Sequence, residues 1–126
     1  MMKTLNILFD NGVPRPLRKL LQPHRISTSS ELGWEKLQNG ALLSAAEASF
    51  DALISTDSNI EYQQPLPNYE IGLIVLRAFR NSMKHFGPLV PQILEALENI
   101  EPGQVVYIYA DPKLAEKDQR KGKRKD

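Results

Sequence analysis

Apolar residues along this chain come in two kinds of pattern, short unbroken runs and helical stripes, and the two alternate. Leu5-Asn6-Ile7-Leu8-Phe9 ends at Asp10-Asn11-Gly12, which predicts a strand over residues 4–9 followed by a turn. Pro14 and Pro16 suit the first turn of a helix that would place Leu17, Leu20 and Leu21 on one face and Arg15, Arg18 and Lys19 on the other. A modest second strand is expected over His24–Thr28, and the Ser/Thr-rich segment after it carries turn and cap formers into Glu31-Leu32-Gly33-Trp34. Asn39 reads as the N-cap of an alanine-rich helix running to Ala48, whose small side chains allow close packing on a sheet. A third strand over Ala52–Thr56 stops at Asp57-Ser58-Asn59, and a fourth over Ile71–Leu76 follows a segment whose Pro65 and Pro67 forbid a long helix. Apolar residues at 89, 90, 93, 94, 97 and 100 form a helical stripe, with Pro88 near its start and Pro102-Gly103 beyond its end; Val105–Tyr109 is the fifth strand. Unbroken apolar strands alternating with helices imply βαβ units, and hence a three-layer α/β/α domain around a parallel five-stranded sheet.

Composition adds limits. At 126 residues, with 41% hydrophobic and 25% charged side chains, the chain has the size and make-up of one globular domain. It has no cysteine, which excludes disulfides, thiolate metal sites and a cysteine nucleophile. The start Met-Met-Lys-Thr-Leu runs into a strand rather than a signal-peptide core, and no run is long enough to span a bilayer, so a cytoplasmic location is expected. The net charge of +1 is unevenly placed: residues 111–126 carry seven Lys and Arg against four Asp and Glu, a net of +3 that leaves the body at −2. With almost nothing apolar to bury, that basic tail is expected to be disordered and separate from a domain over residues 1–110.

The chemistry follows from where the carboxylates fall. In open parallel sheets ligands bind beyond the carboxyl ends of the strands, where the strand order reverses. Asp10 closes strand one and Asp57 follows strand three, so the two can approach each other if those strands are neighbours. Two carboxylates so placed suit a hard cation: Mg²⁺ takes oxygen ligands, keeps several waters and commonly uses only one or two protein carboxylates plus substrate phosphate. Such a cation can orient a water and offset charge during attack on a phosphodiester. The blander alternative is that both are turn residues, since Asp-Asn-Gly and Asp-Ser-Asn are good turn sequences.

The succession Ile-Leu-Phe-Asp-Asn-Gly-Val-Pro-Arg-Pro-Leu, a helix, a second strand, Ala-Leu-Ile-Ser-Thr-Asp and Gly-Leu-Ile-Val-Leu-Arg resembles the small PIN-like domains, relatives of the ribonuclease toxins of toxin–antitoxin systems. The likeness spans most of residues 4–109. It implies a PIN-like fold, a hydrolase that cleaves RNA with Mg²⁺ or Mn²⁺ held by Asp10 and Asp57 as catalytic residues, and RNA, a cognate antitoxin protein and a homodimer as partners. Where such domains carry further acids at the start of the middle helix and after strand three, this chain has Asn39 and Asn59. Each asparagine keeps an oxygen ligand but removes a negative charge, so a site of Asp10, Asp57, Asn39 and Asn59 would hold the cation more weakly. Glu31, Glu35, Glu47 and Glu61 are the candidates for a replacement carboxylate, Glu47 first among them.

The alternative is a catalytically silent PIN-like module that binds RNA or a protein partner. Arg77, Arg80 and Lys84 follow strand four and could meet phosphates at the cleft edge, although a solvated helix face explains them somewhat better. Phosphoacceptor receiver domains also place acids at two strand ends, but the proline-rich span from Asp57 to Ile71 leaves no room for their helix, Asn11 replaces their second acid and Lys113 follows Pro112 instead of preceding it. Trp34, Tyr62 and Tyr69 suit packing or loop roles. His24 and His85 show no ligand spacing, and nothing supports a Ser-His-Asp triad.

Overall fold

The computed structural model describes residues 3–60 and 65–117. Its strands are β1 (Asn6–Phe9), β2 (Arg25–Thr28), β3 (Ala52–Ser55), β4 (Gly72–Arg77) and β5 (Val105–Tyr109). All pair in parallel, in the order β2-β1-β3-β4-β5. The helices are α1 (Leu17–Leu20), α2 (Asn39–Glu47), α3 (Met83–Phe86) and α4 (Val90–Asn99), followed by α5 (112–117). Single 3₁₀ turns cover Leu66–Asn68 and Gly87–Leu89.

Strand alternation divides the core into two layers. Ile7, Phe9, Ile54, Ile74 and Leu76 point to one face, where they meet Leu17 and Leu21 of the α1 region, Phe86 of α3, and Ile93 and Leu97 of α4. Leu8, Leu53, Leu73 and Val75 point to the other, against Leu42, Leu43 and Ala46 of α2. The sheet is therefore covered on both sides, as the unbroken apolar strands require. No helix of the described residues is long and apolar enough to cross a membrane.

Four local expectations are corrected. The helix after Pro16 is a single turn; Leu17 and Leu21 are buried, whereas Leu20 is 47% exposed, because one turn presents only the i, i+4 pair to the sheet. Asn39 is the first helical residue of α2 and not its cap; extended Gln38 takes that position and makes no side-chain cap bond. The stripe over residues 89–100 begins as a 3₁₀ turn and becomes α4 only at Val90, with Pro91 in its first turn. Order also runs past residue 110. The carboxylate of Asp111 accepts from the N–H of Lys113 at 2.9 Å, residues 112–117 are helical, and Leu114 is buried. One leucine finding the core outweighs the polar composition around it. The rest of the tail, 118–126, lies outside the described residues.

Candidate functional site

The strand order reverses between β1 and β3: the connection leaving β1 runs to β2 on one side, and the one leaving β3 runs to β4 on the other. The carboxyl ends of β1 and β3 therefore flank a crevice. A cavity of about 440 Å³ lies there, and Asp10, Asn11, Gly12, Glu35, Thr56 and Asp57 supply its polar wall. Leu37, Leu42 and Ile60 form its apolar side.

Asp10 and Asp57 are joined through Ser55, which is fully buried at the end of β3. The Ser55 hydroxyl donates to Asp10 Oδ2 at 2.9 Å, and the same oxygen accepts the backbone N–H of Asp57 at 3.0 Å. Asp10 Oδ1 accepts the N–H of Asn11 at 2.8 Å, and Asp57 Oδ1 accepts the N–H of Asn59 at 2.9 Å. Both acids thus make the turn bonds that their sequences favour, and both also face the cavity. The turn after β3 is further tied down by the Tyr107 hydroxyl, which donates to the Ser58 carbonyl at 3.1 Å.

Gly12 is required by close approach. A Cβ there would come within 2.1 Å of Thr56 Oγ1 and 3.4 Å of Asn81 Nδ2, so the turns after β1, β3 and β4 meet at this point. Asn81 Nδ2 also donates to Thr56 Oγ1 at 3.3 Å. Across the crevice, Asn11 Nδ2 donates to the Glu35 carbonyl at 2.9 Å and holds the segment before α2 against the turn after β1.

The four glutamates considered as replacement acids separate. Glu35 lines the cavity beside Asp10 and Asp57. Glu47 does not: it sits at the C-terminal end of α2, where its carboxylate accepts the N–H of Glu70 at 2.8 Å just before β4 begins, at the opposite end of the sheet. Glu31 pairs with Arg18 and accepts the N–H of Thr28, and these bonds hold its carboxyl below the usual range. Glu61 and Tyr62 lie outside the described residues, as does the side chain of Asn39. Asn59 is exposed and outside the cavity lining; its N–H donates to Asp57 Oδ1. Among the described residues no group of three or more His, Asp and Glu side chains is placed to hold a metal ion.

Arg77 ends β4, Arg80 is exposed in the following loop and Lys84 is exposed on α3; all three are at the same end of the sheet as the cavity, but none lines it. A different basic set, Arg15, Arg18 and Lys19, lines a second hollow of about 310 Å³ beside α1, where Arg15 donates to Ser30 Oγ at 3.2 Å. Trp34 packs edge-on against Phe50 with ring centroids 6.3 Å apart, and Tyr69 packs on the α2 face of the core. His85 bonds Ser82 Oγ at 2.8 Å within α3's first turn, a local role. His24 is buried; its Nδ1 accepts the N–H of Leu5 at 3.1 Å, while Nε2 has no partner. Burial lowers its pKa from the ordinary 6.5, with the negative charge of Glu98 opposing.

Sequence reasoning missed Ser55, Thr56 and Asn81. For Ser55 a signal existed, a hydroxyl closing an otherwise apolar strand two residues before Asp57; for Asn81 there was none. Comparison of the chain with known protein families, with curated proteins and with solved structures found no match.

Proposed function

We propose that the crevice between β1 and β3 is a divalent-cation site at which RNA is hydrolysed, in the manner of a PIN-like domain with a reduced acidic set. The observation that carries this reading is the Ser55 bridge, which fixes Asp10 and Asp57 in one polar cavity at the topological switch point. Glu35 lines the same cavity. The donor set is all oxygen and suits Mg²⁺ or Mn²⁺ held through few protein ligands, with waters and substrate phosphate completing the shell. When bound, the cation supplies Lewis-acid stabilisation of the attacked phosphodiester. Asp10 and Asp57 would hold it. Ser55 keeps the Asp10 carboxylate in a fixed rotamer by occupying Oδ2 with a hydroxyl proton.

A second reading is favoured by one specific observation. Asn39 and Asn59 stand where PIN-like domains carry acids, which favours a module that has lost catalysis and binds RNA or a protein partner. Calorimetric titration with Mn²⁺ of the wild type, Asp10→Ala and Asp57→Ala, with a fluorogenic RNA cleavage assay on the same samples, separates the two. Metal binding and cleavage that vanish in both variants support the nuclease. No heat at millimolar Mn²⁺ removes it and leaves the binding module.

A further inference from the structure

Phe79 is 63% exposed, the most exposed large apolar side chain among the described residues, and it belongs to neither core layer. It stands in the short loop between β4 and α3, with Arg77 two residues before it and exposed Arg80 directly after. That loop borders the crevice for a topological reason. β4 is the neighbour of β3, so the chain leaving β4 emerges beside the chain leaving β3. Contact is direct, since Asn81 donates to Thr56 Oγ1, and Thr56 is part of the cavity wall.

The loop is also held in shape. The N–H of Ala110 donates to the Arg77 carbonyl at 2.8 Å, the N–H of Ser82 to the Arg80 carbonyl at 3.0 Å, and Ser82 Oγ bonds His85. A ring displayed on a fixed loop loses little freedom when a flat partner stacks on it.

We propose that Phe79 is a stacking platform for one unpaired base of a single-stranded RNA whose backbone crosses the Asp10–Asp57 crevice; this rests on reading that crevice as an RNA site. An aromatic face beside cationic side chains is the arrangement by which proteins take single strands with little regard to sequence, the ring meeting a base and the cations meeting the adjacent phosphates. Double-stranded RNA cannot use it, because its bases are already stacked on one another.

The test is a fluorescence-anisotropy titration of the full chain with a fluorescein-labelled oligouridylate and with a blunt RNA duplex, in EDTA so that no cleavage occurs, using wild type, Phe79→Ala and Phe79→Tyr. Thermal melting of each variant checks that the exposed substitution leaves the fold intact. Phe79→Ala is expected to weaken single-strand binding roughly tenfold or more, with Phe79→Tyr within about twofold of wild type and the duplex unaffected. Equal affinities of wild type and Phe79→Ala, a Tyr variant as weak as the Ala one, or no binding by wild type each overturn the proposal. So does a Phe79→Ala variant with unchanged RNA affinity and a changed sedimentation coefficient, which would assign the ring to contact with a second copy of the chain. Loss of single-strand binding in Phe79→Ala from a protein without cleavage activity sustains the stacking role while removing catalysis.

Discussion

Replacing Ser55 by alanine tests the link between the two aspartates most directly. The hydroxyl makes two bonds at once, donating to a carboxylate at 2.9 Å and accepting a backbone N–H at 3.0 Å, from a side chain with no exposure to solvent. A bond to a charged group contributes about 1.5–3 kcal/mol and a neutral one about 0.5–1.5 kcal/mol. Asp10 is partly buried and Asp57 exposed, so water can replace some of what each loses, the low end of both ranges applies and the sum is about 2 kcal/mol. For a chain of 126 residues, an unfolding entropy of ~2.1 cal/mol/K per residue makes each kcal/mol equal to ~4 °C in melting midpoint. The expected drop is therefore about 8 °C by differential scanning calorimetry. Amide exchange gives a second readout, because the Asp57 N–H loses its acceptor and should exchange faster than in wild type. A midpoint within about 1 °C of wild type, with unchanged exchange at Asp57, would refute the idea that Ser55 holds the ends of β1 and β3 together.

Two further outcomes follow from buried contacts. His24 has its pKa lowered by burial, so the unfolded chain takes up a proton more readily than the folded one. Its contribution to stability is complete above 6.5, is lost as pH falls below that value, and levels off below the folded pKa. The urea midpoint of wild type should fall more between pH 7.5 and about 5 than that of His24→Gln, whose amide oxygen can still accept from the Leu5 N–H; parallel profiles would show that His24 is not responsible. At the crevice, Gly12→Ala should cost about 1–3 kcal/mol because its Cβ meets Thr56 Oγ1. In a Thr56→Ala background, where the nearest remaining Thr56 atom stands 3.4 Å away, most of that loss should vanish, and an equal loss in both backgrounds by chemical denaturation would contradict the contact.

Much of this architecture was legible along the chain. Hydrophobic periodicity is a local property, and four apolar runs with one weaker segment over residues 24–28 were enough to indicate a parallel sheet with helices on both faces, to within a residue or two at each strand end. Asp10 and Asp57 could be placed at strand ends for the same reason. Periodicity is silent on which strands lie side by side, and it was the lateral order β2-β1-β3-β4-β5 that made the turns after β1 and β3 neighbours. Distance along the chain misled in both directions among the glutamates: Glu35, in a loop with no pattern, came to the crevice, while Glu47, nominated from its helix, went to the far end because α2 runs antiparallel to the strands. Leu114 and Phe79 show the same division. Composition predicted a disordered tail, yet Leu114 is buried, and Phe79, on which periodicity was silent, is left in water. What an isolated side chain touches is set by surfaces brought together from distant parts of the chain, and those surfaces exist only once the strands have chosen their partners.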